Sequence, residues 1–360
     1  MNPLMLLIRL LKPILYPLSL IYGIIVWLRN KLYDNGILSS IQFSVPVICV
    51  GNLSTGGTGK TPHIEYLIRL LQYEYKLATM SRGYKRKTTG FYLADRETDS
   101  WMIGDEPMQF YKKFPELAVS VCEDRMTGIP RLLSERKETE IVLLDDAFQH
   151  RSVKPGLNIL ITDYARPFYS DFILPFGSLR ESRKAYKRAD IIVVSKCPDL
   201  NNETQKEIVS RIRPQKHQRV FFSKITYDFV VDFFTGEQIH FNTKPNIIMV
   251  SGIAKPEPML QFLRENVARN VHLLKYPDHH FFSEANLEEI KQTYRNWNEP
   301  DKIIITTEKD ATRLEIHKEA LLQWNIKIAI LPIKIAFLHN QHEFDAIVRN
   351  YIETERAEIL

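Results

Sequence analysis

Val47-Ile48-Cys49-Val50-Gly51-Asn52-Leu53-Ser54-Thr55-Gly56-Gly57-Thr58-Gly59-Lys60-Thr61 joins an apolar, β-branched run to a glycine-rich turn ending in Gly-Lys-Thr. In such a turn, consecutive backbone N–H groups converge on phosphate oxygens, the lysine ammonium neutralises β- and γ-phosphates, and the threonine hydroxyl is a ligand for Mg²⁺. The match to G-x-x-x-x-G-K-[ST] is imperfect, because Ser54 stands where the first glycine belongs. Gly56, Gly57 and Gly59 still free the turn from Cβ sterics. Pro62 suits the first turn of a helix, where its missing N–H is not needed, and Leu67, Leu70 and Leu71 continue with helical spacing. Residues 54–61 are therefore the expected nucleotide-phosphate loop.

Working outward, apolar runs end repeatedly in polar loops: Leu77–Met80 before Ser81-Arg82-Gly83-Tyr84, Ile141–Leu144 before Asp145-Asp146, Leu157–Thr162 before Asp163, and Ile191–Val194 before Ser195-Lys196. Short β-branched runs separated by helical patterns read as parallel strands of a doubly wound sheet, with ligand groups at their carboxyl ends. From about residue 218 to 241 the pattern becomes strand-like without an intervening helix, which reads as a β-ribbon. A second set of strands follows at 246–250, 271–274, 302–306 and 326–331. The expected fold is α/β, a P-loop NTPase-like, mainly parallel sheet with a second, smaller α/β domain. Its divisions are an apolar N-terminal segment (1–35), a nucleotide domain (36–217), a ribbon linker (218–241) and the smaller domain (242–360).

The chain has 360 residues, 25% of them charged and 44% hydrophobic, with a net charge of +5. This mild positive excess suits an anionic substrate or a membrane surface and is too small to argue for nucleic acid. Cys49, Cys122 and Cys197 have no metal-ligand or CxxC spacing and read as reduced thiols. Nothing in the pattern calls for an obligatory protein partner. Residues 1–28 are rich in Leu, Ile, Pro and Tyr, with Arg9 and Lys12 inside the run and Arg29 and Lys31 after it. The charge-free stretch from Pro13 to Leu28 falls short of the ~20 residues that span a bilayer. No small-residue cleavage site follows, and basic residues at both ends disfavour a crossing helix. The expectation is a monotopic segment lying in the membrane interface, with Tyr22 and Trp27 at headgroup level; the alternative is an apolar helix packed on the protein itself.

Asp145-Asp146 at the end of its run is a Walker-B-like element that holds Mg²⁺ directly or through water, although many strands end in Asp as a helix cap. Gly104-Asp105-Glu106-Pro107 sets two adjacent carboxylates in a tight turn before a helical pattern. Such a pair suits a metal ligand beside a proton acceptor, or else an N-cap followed by a first-turn acid. Asp278-His279-His280 offers a proton-handling Asp–His pair; zinc is the alternative, though no third ligand has convincing spacing. Phe148-Gln149-His150-Arg151 adds polar and basic groups beyond the Asp pair.

These motifs, together with Leu179-Arg180-Glu181 and Thr307-Glu308-Lys309-Asp310, occur in an order that resembles the tetraacyldisaccharide 4′-kinases, the lipid A 4′-kinases of Gram-negative bacteria. The resemblance runs from the apolar N-terminus to about residue 315. Ala147, where that family more often has glycine, is a small departure. The resemblance implies an ATP- and Mg²⁺-dependent kinase for the 4′-hydroxyl of an acylated glucosamine disaccharide 1-phosphate, working peripherally at the cytoplasmic face of the inner membrane. It also implies roles. Lys60 and Thr61 would hold the β/γ-phosphates and Mg²⁺, with Glu106 and the Asp145-Asp146 pair completing the metal environment. Asp105 would be the base on the 4′-hydroxyl, tuned by His279 with Asp278 beside it. Arg82, Arg125, Gln149, His150, Arg180 and Glu181 would line the substrate cleft.

A competing class is the membrane-associated nucleotide-switch ATPase, whose deviant phosphate loop resembles Gly56–Thr61. Those loops carry a signature lysine just before the paired glycines. Thr55 stands there instead.

Overall fold

A computed structural model describes the backbone of residues 3–359 and the side chains of residues 15–358. Nine strands form the larger sheet, in the spatial order Ile333–Phe337, Arg219–Tyr227, Ile191–Ser195, Leu157–Asp163, Val47–Gly51, Ile141–Asp145, Leu77–Ser81, Ala118–Val121 and Tyr92–Leu93. All run parallel except the two edge strands. The phosphate-loop strand pairs with Ile141–Asp145 on one side and Leu157–Asp163 on the other. Both partners come later in the chain, so the crevice at their carboxyl ends is where a ligand finds room.

Every residue of Val47–Gly51, Leu77–Ser81 and Ile141–Asp145 is buried. Sheets covered on both faces demand unbroken apolar runs, which is why these segments do not alternate. Successive side chains still point to opposite faces: Ile48 and Val50 join one core, Val47 and Cys49 the other. The three cysteines are buried free thiols.

Five strands form the smaller sheet: Asn270–Lys275, Asn246–Ser251, Lys302–Thr307, Ile328–Leu331 and Val231–Asp232. Strand pairing departs from the expected boundaries at two places. The stretch read as a β-ribbon over 218–241 is split, with Arg219–Tyr227 in the large sheet and Val231–Asp232 in the small one. Past Pro332 the chain returns, and Ile333–Phe337 pairs antiparallel with Arg219–Tyr227. The last helix, Gln341–Ile359, then sets Phe344, Val348 and Ile352 into a large-sheet core. The two crossings lie side by side, the Asp228 N–H donating to the Pro332 carbonyl at 2.9 Å.

Pro3–Asp34 is one continuous helix despite Pro13 and Pro17. Ser19, Tyr22, Gly23, Val26 and Asn30 face the protein, while Tyr16, Leu20, Ile21, Ile24, Ile25, Trp27 and Leu28 are exposed. Tyr22 thus differs from the expected headgroup position, because its hydroxyl donates to the Arg180 carbonyl at 3.1 Å. Among the described residues no helix is long and apolar enough to cross a membrane.

Candidate active site

Side chains of neighbouring strands and of the following helix hold the phosphate loop, whose residues Thr55, Gly56 and Gly57 are exposed. Gly56 and Gly59 adopt φ of 98° and 91°, a region closed to most side chains. The Asn52 amide donates to Thr58 Oγ1 at 2.9 Å and Ser195 Oγ to the Thr58 carbonyl at 2.6 Å. Lys196 donates to the Gly57 carbonyl and pairs with Asp163. His63, one turn into the following helix, touches the Gly59 carbonyl with Nδ1 at 2.6 Å and Ser223 Oγ with Nε2 at 3.0 Å. Burial pushes this imidazole down to about 4, so it is neutral. A carbonyl only accepts, so Nδ1 carries the proton and Nε2 accepts from the serine. On the open side, Thr55 N–H donates to the Ser178 carbonyl at 2.8 Å and Arg180 N–H to the Leu53 carbonyl at 2.7 Å, which fixes Arg180 beside the loop.

The carboxyl end of Ile141–Asp145 meets this loop. A Cβ on Gly51 would lie 2.5 Å from that of Phe148, so only glycine lets the two segments approach. Asp146 adopts φ of 52° and is gripped by the Arg180 guanidinium at 2.9 and 3.0 Å, with Lys60 at 3.5 Å. Burial raises its carboxyl, but Lys60 and Arg180 together hold it below the usual range. Asp145 is pushed up to about 7 by burial and by Glu106, and its Oδ1 is buried without a hydrogen-bond partner. Glu106 pairs with Lys309 at 2.5 Å; despite burial, Lys309 and Lys60 bring it down to about 2, and Thr61 hydrogen-bonds to it. A buried carboxylate oxygen with no partner is the kind of demand that a cation or water meets. Thr61, Glu106, Asp145 and Asp146 therefore fit a magnesium site of the sort that shares its ion with phosphates and water. Among the described residues no group of three or more His, Cys, Asp or Glu side chains makes a ready-built metal cage.

The second cluster forms where the helix Asp105–Lys113 of the large-sheet lobe meets Glu308–Leu314 of the smaller one. Asp105 opens its helix after Gly104, whose φ is 92°. Its Oδ2 accepts from Arg313 Nε at 2.9 Å and from the same guanidinium's NH2 at 2.5 Å, and lies 3.2 Å from His279 Nδ1. Burial raises the Asp105 carboxyl, but His279 and Arg313 outweigh it and leave it below the usual range. His279 is a non-glycine residue at φ 59°, strain of a kind that clusters at functional sites. Asp278 sits 4.0 Å from its Nε2, and Tyr84 meets its ring edge-on at 5.6 Å. His280 turns away, bonding to Asn286 and stacking on Tyr276.

The remaining sequence-derived residues divide by what they touch. Arg82 is exposed. Gln149 donates to the Asn52 carbonyl at 2.9 Å and accepts from Arg180 at 3.3 Å. Arg125 is buried, its NH1 donating to the carbonyls of Cys122 and Glu123 while Nε has no hydrogen-bond partner, and its backbone N–H donates to His150 Nε2 at 3.1 Å. Glu181 is also buried, paired with Arg188 at 2.9 Å and bonded by Asn30 of the N-terminal helix at 2.8 Å. Sequence reasoning assigned no role to Arg313, Lys309, Asn52 or His63. Lys309 stood in a quoted motif, whereas nothing local marks Arg313.

A phosphate loop with a carboxylate pair at the neighbouring strand end, together with a carboxylate–imidazole pair built from both lobes, defines a P-loop phosphotransferase. The chain belongs to the tetraacyldisaccharide-1-P 4′-kinase family, whose sequence profile matches residues 11–353. It is 45% identical over 350 residues to the tetraacyldisaccharide 4′-kinase of Flavobacterium johnsoniae, covering 96% of this chain and 98% of that one. It is 47% identical over 349 residues to that of Flavobacterium psychrophilum, with 96% and 98% covered. The crystal structure of the "apo" form of LpxK from Aquifex aeolicus in complex with ATP superposes with a TM-score of 0.75 at 28% identity, covering 95% of this chain and 99% of that chain.

Proposed function

We propose that the protein transfers the γ-phosphoryl group of ATP to the 4′-hydroxyl of a tetraacylated glucosamine disaccharide 1-phosphate at the cytoplasmic face of the inner membrane. The observation that carries this reading is the Asp105–His279 contact, built from both lobes, with Glu106, next in the chain, hydrogen-bonded to Thr61 of the phosphate loop. Phosphoryl transfer needs chiefly alignment and charge neutralisation. The loop N–H groups and Lys60 bind the β- and γ-phosphates, and Arg180 stands over Asp146 beside them. Magnesium, held by Thr61 with Glu106, Asp145 and Asp146, would neutralise charge on the phosphates.

On the acceptor side, Asp105 Oδ2 is occupied by Arg313 and His279, leaving Oδ1 to take the proton of the 4′-hydroxyl. The hydroxyl oxygen bonds to the γ-phosphorus as the bond to the β,γ-bridging oxygen breaks, and ADP leaves. A carboxylate held below its usual range is a weak base, so its contribution is alignment of a proton that departs late in a loose transition state. We further assign two lobes that close about the paired crossings at Asp228 and Pro332. The exposed apolar face of the N-terminal helix, followed by Arg29 and Lys31, suits the membrane interface that holds an acylated acceptor.

The test is incubation with γ-labelled ATP and the disaccharide 1-phosphate in mixed vesicles, with Lys60→Ala as control. Label in the lipid at the 4′ position is the expected result. Label released only as inorganic phosphate would replace the kinase with a nucleotide switch.

A further inference from the structure

Arg313 is fully buried. Nε and NH2 both donate to Asp105 Oδ2, NH1 donates to Asp310 Oδ1 at 2.9 Å and to the Gly252 carbonyl at 3.2 Å, and NH2 lies 3.3 Å from His279 Nδ1. We propose that Arg313 is the positioning residue that holds the Asp105 carboxylate in its working orientation, so that the acceptor-side base is aligned only while the two lobes touch. This rests on the reading of Asp105 as the base.

The fork makes two bonds across the lobes, both to Asp105 Oδ2, and its NH1 bonds lie within its own lobe. Asp310 is itself immobilised, its Oδ2 accepting from Gly252 N–H at 3.0 Å and Thr307 Oγ at 2.8 Å. The guanidinium therefore stays in place whether or not Asp105 is near, and it offers Asp105 a preformed pair of donors. Two donors of one planar fork converging on Oδ2 fix that oxygen, and so leave Oδ1 as the free one, in a way that a single ammonium does not. Lobe contact does not depend on this bond alone. Lys309–Glu106, Lys113–Glu308 and Lys112–Glu315 tie the same two helices. Removing Arg313 thus leaves Asp105 Oδ2 held by His279 alone, while the helices stay joined and the phosphate loop is untouched.

The experiment compares Arg313→Met and Arg313→Lys in the full chain, alone and with Asp105→Asn, reading kcat, ATP affinity and thermal unfolding. Arg313→Met is expected to lower kcat about 10²-fold, the scale of a misplaced catalytic group, with ATP affinity little changed. Arg313→Lys keeps the charge and recovers part of the rate. In the Asp105→Asn background neither substitution costs anything further, because the residue they position is already disabled. Unchanged kcat in both variants, or losses that multiply with Asp105→Asn, would overturn the inference. Should the methionine variant not fold, the lysine variant carries the same comparison. A wild-type rate in Asp105→Asn alone would instead remove the base reading itself, so the two failures are distinguishable.

Discussion

The donor half of the cleft is made from one stretch of chain, and the acceptor half from three. Residues 51–61 supply the phosphate loop, its lysine and its hydroxyl within a single strand–turn–helix unit, backed by neighbouring strand ends of the same sheet. The acceptor half joins Asp105 to His279, 174 residues later, and to Arg313, 208 residues later, across two sheets. A local unit is fixed by backbone geometry and survives lobe movement. A composite one exists only when both lobes are in place, so under the proposed mechanism acceptor activation would depend on lobe contact.

Breaking the donor half should cost most. Lys60→Ala is expected to lower phosphoryl transfer by ~10³-fold, the scale of losing a preorganised charge on the reacting group, with the unfolding midpoint barely moved because Lys60 lies beside Asp146 and not in an apolar core. A folded variant with near-normal transfer would end the phosphate-loop reading. A smaller effect, confined to the acceptor, is expected from placing glutamates at Ile24 and Ile25. Each exposed isoleucine contributes about 1.5–3 kcal/mol when buried in an apolar phase, so flotation with anionic vesicles and use of the lipid acceptor should fall together while ATP affinity holds. Unchanged flotation would remove the interfacial assignment.

The smallest effect concerns the support behind the donor loop. His63 is held down to about 4 in the fold against an ordinary 6.5. The unfolded chain binds the proton more readily between those values, so its contribution to stability is complete above 6.5 and is lost as pH falls toward 4. His63→Gln should flatten that part of the stability profile, read by thermal unfolding across the range. An identical slope in the variant would mean that other groups carry it.

The same contrast explains what was legible. The phosphate loop, the strand ending in Asp145-Asp146 and the parallel character of both sheets follow from contiguous residues whose chemistry is local. The return of the chain to the large sheet was hidden because Ile328–Leu331 and Ile333–Phe337 form one mainly apolar run interrupted only by Pro332 and Lys334, and periodicity cannot say that its halves join different sheets. Ala118–Val121 escaped notice as a strand because four residues carry too little pattern. Tyr22 read as an interfacial aromatic because sequence does not reveal which helix face meets the protein. Arg313 is the extreme case: an arginine on a short helix reads as a solvated charge, and only the tertiary fold brings a distant carboxylate to it.

The composite nature of the acceptor half is tested most directly by single-turnover transfer from ATP to the disaccharide lipid in Asp105→Asn, His279→Ala and the double variant. Each single change should lower the rate by about 10²-fold, the lower end of the range of general acid–base catalysis, and the double variant should be hardly slower than the slower single one. Losses that multiply would show that Asp105 and His279 act independently and that no unit forms across the lobes.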